Sequence, residues 1–155
     1  MSDTLKIYVS RDATSLALGA DATARAVAAQ AQQRGIAIEL IRTGSRGMFW
    51  LEPLVEIATA AGRVGYGPVA AVDVPALFDA DFINGGAHAS KLGLVEEIPF
   101  FKSQERLTFA RIGVTDPLSV ADYVAHGGYR GLEKALAMTP ADIVKEVTDS
   151  GLRGR

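Results

Sequence analysis

The chain contains no cysteine. That excludes disulfides and every metal or cluster site built on thiolates. It leaves the redox compartment open, although a secreted protein has no reason to lack them. Histidine is nearly absent as well, with two in 155 residues, and there is one tryptophan. No apolar run approaches the length of a membrane span. Asp3, Lys6 and Arg11 interrupt any signal-peptide core, and Asp12 and Asp21 make the opening too acidic for a transit peptide. A cytoplasmic protein without membrane contact is the expectation. The net charge of −2 carries no basic footprint for nucleic acid.

What is present is an ordinary globular composition, 48% hydrophobic and 22% charged, enough for one domain plus an appendage. Leu5–Val9 alternates and is β-branched and aromatic, as a strand requires. Asp21 is read as the cap of an Ala/Gln-rich helix over Ala22–Arg34, with Gly35 as its stop. Ile36–Ile41 reads as a second strand, parallel to the first because a helix joins them. A loop follows at Gly44–Gly47. Leu54–Ala58 and Val64–Val69 read as a hairpin about Ala61-Gly62, with Pro68 at its end. Asp73 is read as the cap of a short helix, Val74–Phe82, with Leu77, Phe78 and Phe82 on one side and Asn84-Gly85-Gly86 as the stop. The order β-α-β-β-β-α is compatible with a thioredoxin-like α/β domain over residues 1–86.

Residues 87–115 read as a connector arm, extended and with one short strand. Pro99, the mixed charges at Lys102, Gln104, Glu105 and Arg106, and the Leu107–Ile112 run suggest it. Residues 116–155 change character. Ser119 with Asp122 resembles a capping box ahead of Val120, Tyr123 and Val124. Gly127-Gly128 breaks that helix, and Tyr129–Ala137 reads as another. Thr139-Pro140 starts a third, lined by Ile143, Val144 and Val147 and closed by Gly151.

Two stretches carry a family resemblance. Ser10-Arg11-Asp12-Ala13-Thr14-Ser15-Leu16 and Thr43-Gly44-Ser45-Arg46-Gly47-Met48-Phe49, with Tyr66-Gly67-Pro68-Val69 beyond, resemble the thioredoxin-like [2Fe–2S] ferredoxin module of NADH-oxidising complexes. In that family the cluster hangs from C-x4-C and C-x-G-x-C. The resemblance puts the ligand positions at Ser10, Ser15, Ser45 and Phe49, so it implies a kept fold and a lost cluster.

The second string comprises Asp116-Pro117-Leu118-Ser119, Asp122-Tyr123, Gly127-Gly128-Tyr129, Lys134-Ala135-Leu136, Met138-Thr139-Pro140 and Ser150-Gly151-Leu152-Arg153-Gly154-Arg155. It is similar to the opening of the flavin-binding subunit of complex-I-type NADH dehydrogenases. There it runs into a glycine-rich loop that cradles FMN and NADH. The resemblance implies a truncated flavoprotein domain in which Gly154 and Arg155 are the cofactor-binding residues. It implies no catalytic residue, no metal ligand and no cofactor in the segment itself. FMN, NAD and a [4Fe–4S] cluster are expected in the full-length subunit.

A cysteine-free ferredoxin-like module ahead of a flavin domain resembles the β (flavoprotein) subunit of soluble NAD-dependent formate dehydrogenases. The implied partners are Fe–S/ferredoxin-like and molybdenum or tungsten subunits. The alternatives are a non-catalytic interaction module, or a diaphorase subunit of an NAD-reducing hydrogenase or complex I relative.

Other residues take plainer readings. Ser10, Ser15 and Ser45 are read as polar turn residues, since no histidine lies near in sequence to activate them. Phe49 and Trp50 are read as core or local packing that fills the vacated space, with a partner-facing patch as the alternative. Gly44, Gly47, Gly65 and Gly67 are read as turns or close approaches, with an anion nest as the alternative. Glu96-Glu97, Lys102, Arg106 and Arg111 are read as solvated surface.

Overall fold

A computed structural model describes residues 4–154, and they divide into two compact units, the first ending at Leu118 and the second starting at Ser119. The first unit opens with β1 (Leu5–Ser10), a short helix α1 (Ala13–Ala17) and the long helix α2 (Ala20–Gln33). Then come β2 (Ile38–Thr43), β3 (Val55–Thr59), β4 (Gly62–Tyr66), α3 (Val74–Asp79), β5 (Lys91–Leu94) and the single turn α4 (Pro99–Lys102). The sheet order is β2-β1-β3-β4-β5. β1 and β2 are parallel, and the other neighbours are antiparallel. A parallel β-α-β half joined to an antiparallel β-β-α half is the thioredoxin-like arrangement.

Strand alternation assigns the two faces. Ile7, Ile57, Val64 and Leu94 stand opposite one another across the sheet, and Val9, Val55 and Tyr66 form the next row. These rows pack on Ala20, Ala24, Val27 and Ala31 of α2 and on Leu77, Phe78 and Phe82. Removing this apolar surface from water is the main stabilising contribution, at roughly 25 cal/mol per Å². The opposite face carries the row Tyr8, Glu56, Gly65 and Gly93. A smaller cluster of Met48, Leu54, Val95 and Phe101 is built there.

Several boundaries differ from expectation, each for a local reason. Asp21 does not cap α2. Gly19 does, in a left-handed conformation at φ +97° that glycine adopts without penalty, so the helix starts earlier. Asp21 sits in the first turn and pairs with Arg42 at 2.8 Å. The capping aspartate is Asp12, whose Oδ1 accepts the Ser15 N–H at 3.0 Å to start α1. The helix expected over Val74–Phe82 is shorter, with a separate 3-10 turn at Phe82–Asn84. β4 stops at Tyr66, before the tight passage at Gly67.

The segment expected as an arm is packed in its first half and exposed over most of residues 102–112. Its strand is Lys91–Leu94, which pairs with β4, whereas Leu107–Ile112 forms turns. Val95 and Phe101 are buried beside it.

The second unit comprises α5 (Val120–Ala125), α6 (Arg130–Leu136) and α7 (Pro140–Asp149). The caps are those expected. The Ser119 hydroxyl accepts the Asp122 N–H at 3.1 Å and the Thr139 hydroxyl the Asp142 N–H at 3.2 Å. Tyr123 and Tyr129 meet edge to face at 5.0 Å. Lys134 of α6 and Glu146 of α7 form an ion pair. Among the described residues of this unit no side chain is buried in a helix, and Val120, Leu132, Leu136, Val144 and Val147 remain exposed.

Candidate functional site: a serine and glutamate cluster

The end of β1, the α1 turn and the loop between β2 and β3 bring three of the resemblance-derived ligand positions together. The Ser15 hydroxyl donates to the Ser10 hydroxyl at 2.7 Å, and both are buried. The Ser45 hydroxyl accepts the Gly47 N–H at 3.0 Å, which turns its own proton toward Glu52 Oε1 at 2.9 Å. Glu52 Oε2 accepts the Leu54 N–H at 2.9 Å. One buried acid therefore gathers Ser45 and a backbone N–H.

Burial raises the Glu52 pKa. The Leu54 and Ser45 bonds and the nearby Ser15 hydroxyl act to lower it without cancelling the effect, and the charge on Asp12 adds to the rise.

Phe49, the fourth position, does not fill this space. It is 50% exposed and lines a neighbouring cavity of about 780 Å³ with Asp12, Ser45, Arg46, Leu107 and Phe109. Trp50 is 62% exposed and packs edge-on against Phe100 at 5.2 Å. The polar side chains satisfy one another, so the loop has no need of an apolar plug.

This donor set does not fit an iron–sulfur cluster. Three hydroxyls and a half-exposed phenyl ring offer no thiolate. A buried carboxyl group beside them disfavours an anionic centre further. Among the described residues no group of three His, Asp or Glu side chains is placed to hold a metal ion. His88 is engaged with Ser90 at 2.8 Å and His126 with the Asp122 carbonyl at 2.9 Å.

A second polar group lies on the same face. Arg46 Nε and Nη2 donate to the two oxygens of Glu56, both at 2.8 Å, and Nη1 to Glu96 at 2.7 Å. Burial disfavours the cation, but Glu56 and Glu96 outweigh it and hold the Arg46 pKa above its ordinary value. Arg63 lies 3.4 Å over the Tyr8 ring and donates to the carbonyls of Gly113 at 2.9 Å and Val114 at 2.8 Å. Arg106 donates to the Arg46 carbonyl at 2.9 Å and sits over Phe101. Arg106 and Glu96 are therefore structural contacts as well as surface charges.

Sequence reading did not single out Glu52, Glu56, Arg46 or Arg63. One signal was available: Glu56 interrupts the apolar strand Val55–Ala58, and a charge in a strand covered on both faces requires a partner.

Gly154 is exposed, and a Cβ there meets nothing within 4 Å. Arg155 lies outside the described residues. No helix among the described residues is long and apolar enough to cross a membrane.

No protein-family model matches the chain. It is 52% identical over 54 residues to the NADP-reducing hydrogenase subunit HndC of Solidesulfovibrio fructosivorans, which covers 35% of this chain and 11% of the relative. It is 61% identical over 33 residues to an NADH-quinone oxidoreductase subunit of Streptomyces coelicolor, covering 21% and 7%. The chain thus spans about a tenth or less of the length of these relatives. Among solved structures, the thioredoxin-like [2Fe-2S] ferredoxin from Aquifex aeolicus aligns over 59% of this chain and 99% of its own, with 17% identity and a TM-score of 0.48. A cysteine-to-serine variant of that ferredoxin gives 19% identity, 57% and 98% coverage, and a TM-score of 0.48. The chain is a thioredoxin-like α/β unit without cysteine, followed by a helical unit, and its local relatives in sequence are subunits of oxidoreductases.

Proposed function

We propose that this chain is the N-terminal portion of the NADH- and FMN-binding subunit of an NAD-dependent formate dehydrogenase. In this reading electrons pass from formate through Fe–S centres and FMN to NAD⁺ in a cytoplasmic complex. The molybdenum or tungsten site and the other Fe–S centres belong to partner subunits. FMN, NAD and a [4Fe–4S] cluster belong to the complete flavoprotein subunit. Residues 1–86 are the docking and scaffolding module, 87–115 join it to the flavoprotein domain, and 116–155 open that domain. Gly154 and Arg155 are the first residues of the nucleotide loop.

The observation that carries the reading is the ordered string from Asp116 to Gly154, taken with local identities of 52% and 61% to two oxidoreductase subunits. Formate as donor rests on the absence of cysteine from the module that precedes the string. The hydrogenase diaphorase is the second reading, favoured by the name of the first relative.

The test is to tag this chain in its source organism, purify the assembly it enters, and assay NAD⁺ reduction with formate and with H₂ in parallel. Formate-dependent reduction, with molybdenum or tungsten in the preparation, is expected. Reduction by H₂ alone transfers the chain to the hydrogenase reading. Recovery of the chain with no redox partner overturns both and leaves an interaction module.

A further inference from the structure

Arg106 is a cation without an acid of its own. Its Nε donates to the Gln104 side-chain carbonyl at 3.0 Å, its Nη2 donates to the Arg46 main-chain carbonyl at 2.9 Å, and its guanidinium lies over the Phe101 ring at 4.5 Å. These contacts fix the plane of the group, and none of the partners is an anion. Among the described residues Arg106 forms no ion pair. A second guanidinium, that of Arg46, stands against the same ring at 5.6 Å and is spent on Glu56 and Glu96. Partial burial and the charge on Arg46 both disfavour the Arg106 cation, and the attraction of Glu96 does not cancel them. A guanidinium keeps its charge regardless, so the imbalance persists as local positive potential.

Arg106 lines the cavity of about 780 Å³. Small-molecule sites typically span roughly 300–1,000 Å³ and combine apolar walls with a few polar groups. Here Phe49, Phe109 and Ile112 supply the apolar wall, and Gly44 and Gly47 add main chain without side-chain bulk. Asp12 and Glu105 lie on the same lining. They repel a doubly charged ligand, such as a phosphate, more than a singly charged one. A preorganised guanidinium fork beside an apolar wall recognises a carboxylate carried on an apolar body. We propose that this cavity is a binding site for a small aromatic carboxylate, with the carboxylate on Arg106 and the ring against Phe49 and Phe109. The ligand supplies the counter-charge that the chain itself does not give Arg106. This site is independent of which electron donor serves the assembly.

The experiment is titration of the whole chain with naphthoate and with naphthamide, its uncharged counterpart of the same shape, followed by amide NMR. Naphthoate is expected to shift the amides of Gly44, Gly47 and residues 104–109 saturably, and to bind about tenfold more tightly than naphthamide. Arg106→Gln is expected to remove that preference, bringing the two ligands within about twofold of each other. Phe109→Ser, at an exposed position, is expected to weaken both ligands alike, because it shortens the apolar wall. Lys102→Gln, off the cavity lining, is expected to leave both affinities unchanged. The absence of a saturable shift at those amides overturns the proposal. So does equal affinity for acid and amide in the unmodified protein, a comparison that decides even if Arg106→Gln does not fold. A preference for the acid that survives in a folded Arg106→Gln protein also overturns it, because the charge is then read elsewhere.

Discussion

The Arg46 guanidinium and the Glu56 carboxylate meet side by side, with two parallel N–H···O bonds of 2.8 Å and both side chains 4% exposed. Desolvating two charges costs several kcal/mol each, so the pair contributes little net stability while intact. Breaking it is a different matter. Arg46→Ala leaves the Glu56 carboxylate with only the 3.4 Å contact to Arg63. The expected loss is about 3–5 kcal/mol, read as a lower urea midpoint at pH 7. A midpoint within error of the unmodified protein would show that Arg63 suffices as counter-charge.

Glu52 gives the protein a pH dependence of definite sign. Its pKa is raised above the ordinary value of 4.5, first by burial. The folded chain therefore holds the Glu52 proton more tightly than the unfolded chain does. The stability contributed by this group is full below the unfolded pKa, and it declines as pH rises from there through the folded pKa. Glutamine does not titrate. Urea unfolding of the unmodified protein and Glu52→Gln from pH 4 to pH 7.5 is expected to show the unmodified protein losing ground with rising pH. The difference between the two curves isolates Glu52 from the other carboxylates. A difference independent of pH would contradict the raised pKa.

Glycine is required at some positions and not at others. A Cβ at Gly67 falls 2.4 Å from the Leu51 carbonyl oxygen, which is backbone and cannot swing aside. Gly67→Ala is expected to cost about 1–3 kcal/mol, as overpacking does. Gly131 lies inside α6 with nothing within 4 Å of an added Cβ. Gly131→Ala is expected to stabilise α6 by up to about 1 kcal/mol through helix propensity. Helix content of the second unit against temperature, by circular dichroism, checks the latter. Thermal unfolding of the first unit checks the former.

In the proposed complete subunit, Arg155→Ala is expected to weaken FMN retention. A charge-assisted contact to phosphate is worth about 1.5–3 kcal/mol, a fall in affinity of roughly ten- to a hundredfold. Flavin retained after gel filtration and diaphorase activity with an artificial acceptor provide the readout. Unchanged flavin content removes Arg155 from the site.

The parts of the fold legible in the sequence were those with local causes. Ser119 and Thr139 are caps because of chemistry within three residues, and Gly35 ends α2 at φ +66°. The parallel pairing of β1 and β2 follows from the intervening helix. What escaped notice depends on distant partners. Lys91–Leu94 holds two apolar residues in four and becomes a strand only because β4 offers an open edge. Leu107–Ile112 has the better strand composition and pairs with nothing in the sheet. In the candidate site, Ser10, Ser15 and Ser45 are positions that the family resemblance marks. Glu52, which accepts the Ser45 proton, belongs to no motif. An acid seven residues beyond Ser45 has no periodic signature, and its role emerges only when the loop folds back on itself.

The attachment of the segment before Leu118 has a further consequence. Arg63 holds it by the carbonyls of Gly113 and Val114, and Arg106 anchors it to the carbonyl of Arg46. Main-chain oxygens are present whatever the side chain. Leu107, 90% exposed, and Phe109 contribute none of these tethers. The identity of the displayed residues is thus uncoupled from the hold on the segment. The loop tip is a mount whose side chains can be exchanged without loosening it, and altered surface chemistry there leaves the sheet beneath undisturbed.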